Sequence, residues 1–288
     1  MLARNARQQR EHIRQVIRKL DQSSISSSKD VAPLPKDAVP LPKDVDPLPN
    51  SALQLSNPAF TTNLPFPFIG SAMPNRFQVS SNDNEKNWFY MGREKFAKLR
   101  DRFEDILDDV THSDVTLYGT KGYGKSYLLA ALVCYWAAGD RKVVYIPDCQ
   151  YFIENPVKYM ISAMLFAWAD DKSQQQKIMT LKTLEDIYLF FQAQGDVIFV
   201  IDQLNALQGG ENDNAHTASQ KAKLLQWLDS VIATYKAICS SSANNYSILN
   251  NAPKQTNSDM MNVYGGLTRV SLKSNNLFIK KGTLLTMI

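Results

Sequence analysis

Hydrophobic and polar positions follow two rhythms along this chain, and the rhythms divide it into strands and helices. Short, almost wholly apolar runs occur at Val115–Tyr118, Lys142–Ile146, Val197–Ile201 and Ala237–Ser240. Such runs suit strands of a parallel sheet covered on both faces. A fifth strand is expected at Asn262-Val263-Tyr264, after a polar loop from Asn250 to Asp259. Between the runs, apolar residues recur at helical spacing. Phe96, Leu99, Phe103, Ile106 and Leu107 mark one buried face of a helix after Gly92. Further helices are expected at Tyr127–Ala138 (stopped by Gly139), Pro156–Asp170, Thr183–Gln194 and Thr217–Tyr235. The second and third are joined by a polar, Gln-rich connection. Strands alternating with helices imply right-handed crossovers, and so an α/β fold with a parallel sheet between two helical layers.

The first part of the chain breaks this pattern. Arg4, Arg7, Arg10, Arg14 and Arg18 fall at three- and four-residue steps within residues 1–20, with Ile13, Val16, Ile17 and Leu20 nearby. The stretch reads as a basic amphipathic helix in solvent. A nuclear-localisation or phosphate-touching arm is an alternative. A transit peptide is another, weakened by Glu11 and the lack of serine. Residues 21–64 begin with serines and continue into VAPLPKD, AVPLPKD and VDPLPNS, whose prolines favour an extended polyproline spacer. The expected organisation is therefore a disordered N-terminal arm (1–20), a Ser/Pro-rich linker (21–64), a globular domain (65–266) and a short tail (267–288).

The composition is that of a globular protein, 44% hydrophobic and 21% charged over 288 residues. A net charge of +4 is too mild to argue for nucleic-acid binding by itself. Cys134, Cys149 and Cys239 lie far apart, without metal-site spacing, and read as reduced thiols in an intracellular compartment, nuclear or cytoplasmic. His12, His112 and His216 share no ligand spacing either. No run is long enough to span a bilayer, and no signal peptide opens the chain.

One segment carries specific chemistry. Gly119-Thr120-Lys121-Gly122-Tyr123-Gly124-Lys125-Ser126 fits G-x-x-x-x-G-K-[ST], with a strand before it and a helix, beginning near Lys125 and running on through Tyr127, after it. Its glycines let backbone N–H groups turn toward phosphate oxygens, and the helix dipole adds to their pull. Lys125 would reach the β- and γ-phosphates, and Ser126 would hold Mg²⁺. Asp202, at the end of an apolar strand, is the second metal candidate. Gln203 follows it where many hydrolysing ATPases place a glutamate, and glutamine can orient a water but not take its proton. Slow turnover or a switch-like role follows. Glu211 and Asp213 are nearby carboxylates that read better as solvated loop residues. Ser242 and Asn244, beyond the fourth strand, are candidates to sense the γ-phosphate, against a plain reading as turn formers. Arg269 is a candidate to touch phosphate. Ligands of such folds sit at strand carboxyl ends, so the phosphate loop, Asp202 and Ser241–Asn245 should meet in one crevice.

With these residues in hand, the chain resembles P-loop ATPases of the AAA+/STAND kind over roughly Tyr90–Gly266. Gly92-Arg93-Glu94 resembles the G-R-E box of that group, which implies that Arg93 lies near the adenine. More narrowly, Asp202-Gln203-Leu204-Asn205-Ala206-Leu207 resembles the corresponding segment of crinkler effectors and retrotransposon-hot-spot proteins. That likeness implies nuclear action, and for crinklers host interaction after secretion by a non-standard route. No crinkler-type header precedes the domain here. Leu267–Ile288 is too short for a helical lid or a nuclease, so an isolated or truncated ATPase module is expected.

The resulting expectation is an ATP- and Mg²⁺-binding module with slow hydrolysis, acting as a conformational or assembly switch through a homo-oligomer or a partner protein. The alternative is a nucleic-acid-associated protein held by its basic arm, with ATP as a structural ligand. A small-molecule kinase is disfavoured by the proposed extra strand between the phosphate-loop and Asp202 strands. A copy that binds nothing is disfavoured by the intact Lys125, Ser126 and Asp202. No N-K-x-D guanine-reading motif is present, which favours ATP over GTP.

Overall fold

Val197–Ile201 is apolar at every position and buried at every position, as a strand enclosed on both faces must be. We call it β5. In the computed structural model it lies inside a five-stranded parallel sheet with β3 (Asp114–Tyr118), β4 (Lys142–Ile146), β6 (Lys236–Ser240) and β7 (Ser258–Asn262). The strand order is β4-β5-β6-β3-β7. The structure describes residues 1–23, 49–70, 72–79, 86–108, 114–119, 122, 124–139, 141–210, 212–241 and 258–262. Strand β6 pairs with β3 on one side and β5 on the other, so it separates the phosphate-loop strand from the strand that ends at Asp202. All pairings are parallel, so the carboxyl ends of the strands share one edge.

The β7 strand begins at Ser258, earlier than expected, and Val263 and Tyr264 lie outside the described residues. It is the last strand of the order, where backbone pairing is enough and the apolar signal is weak. Helix α4 (Lys125–Ala138) follows the phosphate loop and is buried on nearly all sides, which explains its lack of a polar face. The Gln-rich connection between α6 (Pro156–Ala167) and α8 (Leu184–Gln192) contains a further helix, α7 (Lys172–Ile178). Asp171 caps α7, accepting from the N–H of Gln174, and Gln175 and Ile178 bury its inner side. Helix α5 (Cys149–Glu154) follows β4 and is capped by Asp148. Helix α9 (Ala215–Thr234) precedes β6.

The N-terminal part departs most from expectation. The expected amphipathic helix is present as α1 (Leu2–Gln22), but it packs against α4 and α6 rather than forming a disordered, solvated arm. Ala6, Ile13, Ile17 and Leu20 are buried. Burying side chains of the Ile and Leu type stabilises by about 1.5–3 kcal/mol each, which the arginine spacing conceals. Arg10 lies on that same buried face. Its guanidinium donates to the carbonyls of Ala137 (3.1 Å), Ala167 (2.7 Å), Gly139 (3.2 Å) and Arg141 (3.1 Å), ending α4 and α6 in hydrogen bonds. The segment expected to be linker also contains structure. Asn50–Ser56 forms α2, with Ala52 and Leu55 buried, and Thr61–Pro65 forms β1. Strand β1 pairs antiparallel with β2 (Asn87–Met91), which leads into α3 (Lys95–Asp108). The proline repeat lies outside the described residues up to residue 48, and its last residues, Pro49, Asn50 and Ser51, cap and begin α2.

Candidate functional site

The loop between β3 and α4 makes the floor of the site. Gly122 and Gly124 hold φ of +92° and +81°, values that L side chains rarely adopt, and Gly124 caps α4. Space is a second constraint at Gly124, because a Cβ there would lie 2.5 Å from Cζ of Arg93. Thr120, Lys121 and Tyr123 lie outside the described residues. The Lys125 ammonium donates to the carbonyl of Gly119. Burial lowers its pKa and the nearby charge of Asp202 opposes that shift. Lys125, Ser126, Gly122 and Gly124 line a cavity of about 530 Å³ together with Asp202, Gln203, Asn205, Gln150, Arg76 and Ser240. Ligand pockets of small molecules and cofactors have volumes of this order.

Asp202 follows β5 directly and is only 1% exposed. A buried carboxylate needs partners for both oxygens, and it has them. The Ser240 hydroxyl, at the end of β6, donates to Oδ1. The Arg76 guanidinium donates to Oδ2 at 3.1 Å. The same Ser240 oxygen accepts from the N–H of Gln203 at 3.1 Å. Gln203 is left-handed (φ 60°, ψ 43°), the one non-glycine residue with positive φ among the described residues. Backbone strain of this kind collects at functional sites. It turns the chain sharply, so that Gln203 and Asn205 face the cavity.

Tyr127, in the first turn of α4, and Arg93, from the G-R-E segment, pack together beside the loop. The Tyr127 ring packs among Phe77, Trp88 and Arg93, while its hydroxyl donates to the Arg76 carbonyl (3.1 Å) and accepts from the Gln78 N–H (2.9 Å). It also lines the cavity. Arg93 lies behind the loop rather than among the described cavity-lining residues, against Gly124 and over the Tyr127 ring at 5.3 Å. Burial lowers its pKa, opposed by Tyr90 and Tyr127. Gly92 explains the start of the G-R-E box in steric terms. A Cβ there would lie 2.1 Å from the Asn57 carbonyl oxygen, and the bare backbone lets the Arg93 N–H reach the Leu55 carbonyl. Asp213 pairs with Lys221 at 2.8 Å and accepts from the Gly210 N–H, so it closes its own loop. Glu211, Ser242, Asn244 and Arg269 lie outside the described residues.

A family model described as the NACHT domain matches residues 113–256, half of the chain. The chain belongs to the NACHT family. NACHT domains are STAND-type P-loop NTPases, nucleotide-binding modules that work as switches. The NACHT match takes in β3 through β6, with the phosphate loop and Asp202, and leaves α1, β1, β2, Arg76 and Arg93 ahead of it. A search of curated proteins found no match. Among the described residues, no helix is long and apolar enough to cross a membrane.

The NACHT residues also fit a divalent cation by their donors. Asp202 and Ser126 offer hard oxygen ligands on one cavity, and a cationic group already faces Oδ2 of Asp202. Two contributors escaped the sequence reading. Ser240 is the last residue of its strand, so the rule that ligands meet strand carboxyl ends pointed within two residues of it. Arg76 stands in an irregular segment far from either motif, and no pattern in the chain marks it.

Proposed function

We propose that this NACHT module binds ATP with Mg²⁺, hydrolyses it slowly and changes conformation or assembly with its nucleotide state. The observation that carries the reading is convergence. Lys125 and Ser126 from the first turn of α4, Asp202 just after β5 and Ser240 from β6 line one cavity at the carboxyl edge of a parallel sheet. In this reading the loop N–H groups and Lys125 bind phosphate, and Ser126 and Asp202 hold the metal. The metal would supply charge neutralisation on the β- and γ-oxygens. Gln203 orients the attacking water without accepting its proton, which makes turnover slow. Arg93 supports the loop from behind. The Asp202–Leu207 segment supports placing the module near the ATPase modules of crinklers and retrotransposon-hot-spot proteins. Output would pass to a second copy or a partner protein.

Binding of nucleic acid by a free basic arm finds less support. Arg10 is buried on carbonyls and Arg14 is paired with Asp170 at 2.6 Å.

The test uses the full chain, because α1, α2 and β1 belong to the folded body. Mg-ATP binding and single-turnover hydrolysis are measured for the parent, Lys125→Ala and Gln203→Glu. The reading requires binding that is lost in Lys125→Ala and slow turnover that rises in Gln203→Glu. A folded parent that binds no nucleotide would sink it.

A further inference from the structure

Arg76 is neither in the phosphate loop nor in the NACHT match, yet it occupies the centre of the site. Its two terminal nitrogens reach three acceptors. Nη1 donates to Oδ2 of Asp148 at 2.7 Å, and Nη2 donates to Oδ2 of Asp202 at 3.1 Å and to the carbonyl of Pro147. The two carboxylates follow neighbouring strands, Asp148 two residues after β4 and Asp202 directly after β5. Their side chains are 8% and 1% exposed, and that of Arg76 is 23% exposed. Arg76 is thus the counter-charge that makes two buried carboxylates tolerable. Burial works against its own charge, but Asp202, Tyr145 and Asp148 outweigh it and raise its pKa.

The segment that carries Arg76 lines the site and is anchored beside it by Phe77, which packs on Phe66, Trp88 and Tyr127. Tyr127 grips the Arg76 carbonyl and the Gln78 N–H, and Phe77 stacks on the Tyr127 ring at 5.1 Å. The Gln78 carbonyl accepts from the Phe89 N–H of β2 at 2.9 Å. The segment therefore joins the site to the N-terminal β1–β2 pair.

A metal ligand oxygen that already accepts from a guanidinium sets two cations against each other over one carboxylate. We propose that Arg76 is a displaceable counter-cation for Asp202: it holds the carboxylate until a divalent cation is bound there, then withdraws onto Asp148 and Pro147, loosening residues 72–79. Asp148 gives the displaced charge a place to go, so the two positions need only a short movement of one side chain. The inference rests on the nucleotide-binding reading above and names the element that would report metal-nucleotide to the N-terminal part.

The test compares the full-length parent with Arg76→Gln and Arg76→Lys. Mn²⁺ alone, read by electron paramagnetic resonance, measures divalent affinity. ATP with Mg²⁺ and ATP with EDTA are titrated separately. A neighbouring charge within about 4–6 Å moves a carboxylate's proton affinity by 1–3 pKa units, so removing it should tighten divalent binding about tenfold or more. The expected result is tighter Mn²⁺ binding in Arg76→Gln, with Arg76→Lys between it and the parent, and ATP–EDTA affinity unchanged. If Arg76→Gln instead weakens ATP–EDTA binding and leaves Mn²⁺ affinity alone, Arg76 is a phosphate ligand and the proposal is overturned. Should Arg76→Gln fail to fold, hydrogen exchange on the parent decides. Faster exchange of residues 72–79 with Mg-ATP than with ATP–EDTA supports displacement, and equal exchange refutes it. A parent that binds no nucleotide under either condition refutes the functional reading instead, while the Mn²⁺ comparison still judges Arg76.

Discussion

The hydroxyl of Ser240 donates to Oδ1 of Asp202, joining the ends of two adjacent strands inside the site. The same oxygen accepts the Gln203 N–H, so one side chain orients the metal candidate and fixes the turn after it. Ser240→Ala leaves a buried carboxylate oxygen and a backbone N–H each short of a partner. Such losses cost about 1–3 kcal/mol. Urea denaturation should show a loss of that size, with Ser240→Thr restoring most of it. Mg-ATP affinity should fall less than in Lys125→Ala, because the phosphate contacts stay in place.

Gln203 carries a backbone conformation that glutamine does not favour. Left-handed backbone costs an L residue roughly 1–2 kcal/mol, asparagine tolerates it better, and β-branched residues tolerate it worst. Gln203→Asn should therefore hold or raise the midpoint of thermal unfolding. Gln203→Val should lower stability by about 1–2 kcal/mol. If both variants melt alike, the left-handed turn is not a source of strain.

At Gly124 the main penalty is the φ of +81°, and the flexible end of Arg93, which a Cβ would push aside, adds a smaller one. Gly124→Ala should lose nucleotide binding and about 1–3 kcal/mol of stability. The two terms separate in a double-mutant cycle. Arg93→Ala should recover part of the stability lost in Gly124→Ala, since it removes the collision, but not the part due to φ. Additive effects would mean that the guanidinium and the loop do not press on each other.

The central sheet was legible because its strands are short, continuous apolar runs. Lys142–Ile146 and Val197–Ile201 begin and end in the structure where their composition changes. The phosphate loop was legible because its chemistry allows few alternatives at Gly124, Lys125 and Ser126. Three features were hidden for physical reasons. The apolar face of α1 is interrupted by Arg10, whose charge is satisfied by carbonyls from distant parts of the chain, and a one-dimensional pattern cannot show that. Helix α7 is held by a cap and a buried glutamine rather than by an apolar stripe. Arg76 reaches Asp202 only through the tertiary fold, across an irregular segment. The family match shares this blind spot, since it begins after Arg76.

Two of the arginines of α1, Arg10 and Arg14, provide a last prediction, because they differ in what they bind. Arg10 donates to four backbone carbonyls and is 4% exposed. Arg14 pairs closely with Asp170 at the surface, 43% exposed on the carboxylate side, whereas Arg10 reaches the same carboxylate only at 3.6 Å. Hydrogen bonding from Arg14 lowers the Asp170 pKa below its ordinary 3.8, against the opposing effect of burial. A depressed carboxylate pKa contributes stability above the unfolded value and loses it as pH falls through the folded one. Arg14→Ala should therefore cost at most about 1 kcal/mol near neutral pH, as surface pairs do, and progressively less as the pH falls through the depressed pKa of Asp170. Arg10→Met should cost about 3 kcal/mol or more, because its acceptors are left buried without donors. Carbonyls do not titrate, so most of that loss should persist at low pH. Stability measured by denaturant at pH 7 and pH 3 separates the two behaviours. An Arg10→Met variant as stable as the parent would mean that the four carbonyl bonds add no net stability and that the buried apolar face alone holds α1 in place.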